Sequence, residues 1–126
     1  MANVNLQTVT QMGAGRTTPI IVAQPVPVVT ASLLIVRAYR ETISRLFDEP
    51  PVALSLAGFI AARYTFKVLN NIRGEITRAS ALTAFQRRDN VDVYGFRVSF
   101  NPQRRSSSYV TQSMLTLDGH QTCKRG

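Results

Sequence analysis

Several small sets of residues in this chain have types that could do chemistry. His120 and Cys123 stand three apart and are each the only residue of their kind. Both can ligate zinc, but a structural zinc site takes four ligands, so the pair is incomplete. Ser106, Ser107 and Ser108 with His120 and Asp118 have the residue types of a nucleophilic triad, yet no nucleophile-elbow motif surrounds the serines. "GAG" at 13–15 lacks the third glycine of a dinucleotide fingerprint, because position 18 is Thr. Asp48-Glu49 and Asp89/Asp92 fall at expected loop edges, where carboxylates are ordinary. These residues argue against an enzyme, and they call for neither a cofactor nor a metal.

Binding chemistry has two candidates. "YGFRVSF" (94–100) is similar to the aromatic strand of RNA-recognition domains, but Arg97 and Val98 replace a small residue and an aromatic, and Phe100 comes one place early. A slip of one residue moves a ring to the opposite face of a strand. Tyr94, Phe96 and Phe100 then share a face with Val98, as in a core, whereas base stacking needs exposed rings. The strand therefore argues against nucleic acid. The second candidate is cationic: Arg87, Arg88, Arg104 and Arg105 form two adjacent pairs able to meet a phosphate or carboxylate by bidentate hydrogen bonds. A solvated turn is the plainer reading of the second pair.

The elements that would hold these residues follow from periodicity. "TPIIVAQPVPVV" (18–29) reads as a strand stopped by Pro25 and Pro27. Its apolar run lacks alternation and suits burial on both faces, as in a parallel sheet. From about Thr30, Val36, Tyr39, Ile43 and Phe47 take one helical face, with Thr30 or Ser32 as possible cap and "DEPP" as stop. A second helix is expected over 54–72. Its apolar positions nearly encircle it, and Gly58, Ala61, Ala62 and Thr65 form a small-residue face open to a neighbouring backbone. A third helix over 77–88 starts on Thr77 as N-cap and buries Leu82 and Phe85. The segment 91–119 then reads as one β-hairpin, with "NPQRRSS" as its turn and Tyr109, Thr111, Ser113, Leu115 and Leu117 on one face of the returning strand.

The bulk figures bound these readings. A chain of 126 residues, 44% hydrophobic and 17% charged, reads as one globular domain. The single cysteine excludes an internal disulfide. Net charge is +8, and the cations are spread along the chain in runs of no more than two. The start "MANVNLQTVTQMGAG" has no basic or apolar signal-peptide region, so a cytoplasmic location is expected of the chain as written.

In order, "VAQPVPVV", "IVRAYRETI", "SLAGFIAAR", "GEITRASALTAF" and "DVYGFRVSFNP" with "SSSYVTQSMLTLDG" resemble one family. It is the C-terminal portion of branched-chain amino-acid-type (leucine/isoleucine/valine-binding-like) ABC transporter substrate-binding proteins. The likeness runs from about Gly13 onward. It implies an α/β fold that is a truncated part of the two-lobed type I periplasmic binding fold. That part has about three helices, an N-terminal strand with a hinge-like stretch at 13–29 and a C-terminal β-hairpin at 91–119, all within a single partial domain, 1–126. It further implies binding of an amino acid or small carboxylate by hinged closure, a transporter permease as partner, and a periplasmic site of action. Leu54, Ser55 and Ala57 match the positions at the start of the second helix that face the ligand. Ala57 stands where the family commonly has Glu, and Phe59 where it has Tyr. The relatives are much longer, so self-association or pairing with an upstream lobe is expected to cover the apolar helix 54–72. Two other readings remain open: a small basic protein contacting a polyanion through Arg87, Arg88, Arg104 and Arg105, and a remnant fragment without function.

Overall fold

The computed structural model describes residues 12, 20–46, 48–87, 90–98, 109–115 and 121–123. Among the described residues the fold is α/β, with three helices and short antiparallel strands. The chain divides into two compact units, one from 1–28 with 109–126 and the other from 29–108. The chain passes between these units twice.

In the first unit, strand β1 (Ile20–Gln24) pairs antiparallel with β4 (Thr111–Leu115), which pairs antiparallel with β5 (Gln121–Cys123). Val22 lies opposite Ser113 and Gln24 opposite Thr111, and all four are buried. Ile21 lies opposite Met114 on the other face, 72% and 42% exposed. The expectation of a parallel strand buried on both faces is therefore corrected. The apolar residues of β1 divide between a covered and an open face, and its neighbour is the returning C-terminal strand. Pro25 and Pro27 end β1 as expected, since neither has an N–H for the ladder, and Val26, Pro27 and Val28 are buried beyond it.

The second unit begins with α1 (Leu34–Leu46), which buries Ile35, Val36 and Tyr39. Neither Thr30 nor Ser32 caps it; the Leu33 carbonyl accepts from the Val36 and Arg37 N–H groups, both at 3.0 Å. Phe47, expected on its apolar face, lies outside the described residues. Helix α2 (Ala53–Leu69) follows "EPPV" and buries Leu56, Ile60, Tyr64 and Val68, a strict i, i+4 stripe. The small-residue face at Gly58, Ala61, Ala62 and Thr65 is exposed, as is Phe66 at 66%. The expectation that this helix is packed on more than one side is therefore corrected: among the described residues it is covered along one stripe. Asn71 Nδ2 donates to the Lys67 carbonyl at 2.6 Å near its C-terminus, and Gly74 takes φ 103° in the turn that follows.

Helix α3 (Arg78–Arg87) is capped as its sequence suggests. Thr77 Oγ1 accepts from the Ser80 N–H at 3.2 Å, while Ser80 Oγ accepts from the Thr77 N–H at 2.8 Å, a reciprocal box in which serine takes the usual glutamate's place. Phe85 is half-buried, its ring 5.8 Å from that of Tyr64. Leu82, expected in the core, is 58% exposed because α3 touches α2 through its other side.

Strands β2 (Val91–Val93) and β3 (Phe96–Val98) form a tight hairpin of their own, with Val91 opposite Val98 and Val93 opposite Phe96. Tyr94 and Gly95 make the turn with φ 52° and 76°, the two positive values of a type I′ turn. Asp92 Oδ1 accepts the Gly95 N–H at 3.0 Å and closes it. The single hairpin read over 91–119 is thereby corrected. The segment contains a short hairpin at 91–98 and a separate strand, β4, that pairs in the other unit. Tyr94 leaves the expected core face, while Phe96 is buried at 6% and Phe100 lies outside the described residues. The alternation expected for the last strand holds at Thr111 and Ser113, which are buried beside exposed Gln112 and Met114.

Candidate functional site

The three residues singled out as ligand-facing stand together at the start of α2. Pro50 and Pro51 favour an extended chain before the helix, and Val52 enters it with φ −126° and ψ 154°. Valine has no side-chain acceptor, so the helix has no side-chain cap at Val52. The missing acceptor comes from α1: the Val52 N–H donates to the Tyr39 hydroxyl at 3.1 Å. That hydroxyl also meets Ser55 Oγ, and Ser55 Oγ donates to the Val52 carbonyl at 3.1 Å. The Tyr39 hydroxyl also lies 3.3 Å from the Val52 carbonyl, so the two hydroxyls and the Val52 peptide groups form one closed cluster in which either hydroxyl can donate to the other. Tyr39 is 1% exposed and its ring lies 5.7 Å from that of Phe59, so the cluster of hydrogen bonds rests on a packed base.

This arrangement separates the roles of the three residues. Ser55 is half-buried and its hydroxyl is engaged within the protein. Leu54 is 75% exposed and Ala57 is half-buried. The first helical bond runs from the Leu56 N–H to the Val52 carbonyl at 3.1 Å, so the N–H groups of Ala53, Leu54 and Ser55 project from the helix end, the usual position for receiving an anion.

The cationic candidates are not brought together by the described residues. Arg87 is exposed in the last turn of α3, and Arg88, Arg104 and Arg105 lie outside them. His120 and the side chain of Cys123 also lie outside. Among the described residues no cluster of three or more His, Cys, Asp or Glu could hold a metal ion, and no helix is long and apolar enough to cross a membrane.

One feature of α2 was missed in the sequence. Ser55, Phe59, Arg63 and Lys67 recur every fourth residue and share a stripe. Arg63 Cζ lies 5.3 Å from the Phe59 ring centre and 5.5 Å from that of Tyr94. Lys67 Nζ donates to the Asp92 carbonyl at the base of the same turn. The spacing alone could have revealed the stripe; the aromatic partner across the hairpin could not be foreseen while Tyr94 was read as mid-strand.

An α/β chain with two compact units, crossed twice, has the architecture of part of a periplasmic ligand-binding protein, and comparison with solved structures bears this out. A possible leucine/isoleucine/valine-binding protein from Rhodopirellula baltica SH 1 matches 98% of this chain with 26% identity and a TM-score of 0.79. An extracellular ligand-binding receptor from Verminephrobacter eiseniae ef01-2 matches 96% with 18% identity and a TM-score of 0.81. A substrate-binding periplasmic protein from Ralstonia solanacearum matches 94% with 20% identity and a TM-score of 0.72. No protein-family model and no curated protein matches the chain. The chain spans 34%, 36% and 34% of the lengths of those three structures, about a third of each. It thus has the fold of a portion of a periplasmic binding protein, as its resemblance to the leucine/isoleucine/valine-binding class implied.

Proposed function

We propose that the chain acts as part of the solute-binding component of an ABC transporter and that its solute is a small carboxylate. The observation that supports this most is the match of nearly the whole chain, at 26% identity, to a possible leucine/isoleucine/valine-binding protein. By resemblance the ligand meets the first turn of α2, at Leu54, Ser55 and Ala57. The free N–H groups of that turn suit a carboxylate, and the exposed Leu54 side chain suits an apolar body. The Ser55 hydroxyl holds the turn in shape through Tyr39 and Val52 and does not reach out to the solute. Ala57 and Phe59 supply neither the acid nor the phenol commonly found there, so the partner for an ammonium group is gone. The solute is therefore an acid without a charged amine in preference to an amino acid. A transporter permease is the expected partner of the loaded protein, and pairing with an upstream lobe or with a second copy would cover the exposed face of α2.

The test is a thermal-shift and calorimetric panel of leucine, isoleucine and valine beside their 2-oxo acids and simple aromatic acids. The 2-oxo acids are expected to raise the melting temperature more than the amino acids do. Ala57→Glu, which restores the acid, should reverse that order. No shift with any member of the panel would overturn the proposal.

A further inference from the structure

The stripe of α2 at Ser55, Phe59, Arg63 and Lys67 has one member whose polar group is idle. Ser55 is engaged with Val52 and Tyr39, and Lys67 donates to the Asp92 carbonyl. Arg63 has neither a hydrogen-bond acceptor nor a carboxylate among the described residues; its contacts are the rings of Phe59 and Tyr94. Arg63 is exposed, and a guanidinium stacked beside two rings is partly preorganised while its N–H donors remain free at the edge.

The second ring is placed there by an unusual backbone. Tyr94 holds φ 52° at the first central position of a type I′ turn, where Asn, Asp or Gly is the usual residue. A bulky residue in the left-handed region is an outlier, and such outliers gather where a binding surface needs them. The turn is closed by Asp92 Oδ1 on the Gly95 N–H and tied to α2 by Lys67 on the Asp92 carbonyl. Hairpin and helix are joined at the point that sets Tyr94 over Arg63. Tyr94 is 46% exposed, so its burial alone does not account for the choice of residue.

We propose that Arg63, with Phe59 and Tyr94 beside it, is a second recognition site, one that takes a carboxylate carried on an apolar or aromatic body. The planar fork of the guanidinium matches the two oxygens of a carboxylate, and the exposed ring of Tyr94 offers the attached body a surface. Phosphate fits less well. It is tetrahedral and more highly charged, and the neighbouring cation, Lys67, is already engaged. The site shares Phe59 with the solute site proposed at the start of α2, but it is centred on Arg63, two turns further along the helix, and its argument does not depend on that assignment.

The test follows the Arg63 side-chain Nε–Hε resonance by NMR while the protein is titrated with benzoate, acetate or inorganic phosphate. Benzoate is expected to move it in a saturable way and to bind more tightly than acetate or phosphate. Arg63→Lys keeps the charge but loses the fork, and should weaken benzoate binding about tenfold or more. Tyr94→Asn puts a preferred residue into the turn, so the fold should be as stable or more so while benzoate binding falls. An Arg63 resonance that does not respond overturns the proposal, as does equal binding by either variant, or phosphate binding more tightly than benzoate. Solute binding at the start of α2 would survive all of these results, because Ala57→Glu reports on it separately.

Discussion

Replacing Tyr39 by Phe removes one oxygen from the centre of the fold and tests how the ligand-facing turn is held. The ring stays, and with it the burial at 1% exposure and the 5.7 Å contact with Phe59, so the packing terms cancel. What is lost is the acceptor for the Val52 N–H at 3.1 Å, a hydroxyl 3.3 Å from the Val52 carbonyl, and the hydroxyl partner of Ser55. Ser55 keeps its bond to the Val52 carbonyl. The cost is therefore that of one backbone donor left without its partner, about 1–3 kcal/mol for a buried group. Val52 is half-buried, so water can reach it in part and the lower half of that range is expected. For a unit of this size, each 1 kcal/mol lowers the melting temperature by about 4–8 °C. Urea denaturation followed by far-UV circular dichroism gives the free energy, with an unchanged denaturant slope as the sign that only stability has altered. Ser55→Ala and the double variant complete a cycle, and the closed cluster requires a coupling of about 0.5 kcal/mol or more. A Tyr39→Phe protein within about 0.3 kcal/mol of the parent, or strict additivity with Ser55→Ala, would refute the argument that Tyr39 stands in for the missing helix cap.

Two further outcomes follow from other parts of the second unit. Gly95→Ala places a side chain at φ 76° with nothing within 4 Å of the new Cβ, so the loss is one of backbone conformation alone, about 1–2 kcal/mol by chemical denaturation. If the exposed face of α2 joins two copies, the parent protein should scatter light as more than a monomer. Replacing Leu54 and Phe66, which are 75% and 66% exposed, together by Ser should then return it to a monomer with little loss of stability. A parent that is monomeric from the outset would end that proposal.

The helices were legible because helix signals are local. The i, i+4 burial of Leu56, Ile60 and Val68 and the cap at Thr77 both lie within a few residues of what they organise. The exposure of Leu82 and Phe66 was not legible, since an apolar residue on a helix states a capacity for burial and not the presence of a neighbour. The start of α2 was recognisable through the family resemblance of "SLAGFIAAR", but its cap was hidden: the acceptor for Val52 comes from Tyr39, thirteen residues earlier on another helix.

The strands show the same division more sharply. Alternation identified Thr111 and Ser113 as the covered face of a strand, and that held. Alternation has no term for the partner, however, and β4 pairs with β1, Gln24 against Thr111, across the whole of the second unit in sequence. The nearer pairing with 96–98 is not made: β4 has β1 on one edge and β5 on the other, while Phe96–Val98 pairs with Val91–Val93. The turn escaped notice because the usual mark of a type I′ turn is Asn-Gly or Asp-Gly, and here the acid that closes it sits two places earlier, at Asp92. A turn that forgoes the easy residue in favour of tyrosine accepts a less favourable backbone conformation. What it gains is a ring beside Arg63, and this is why the misread residue and the proposed carboxylate site coincide.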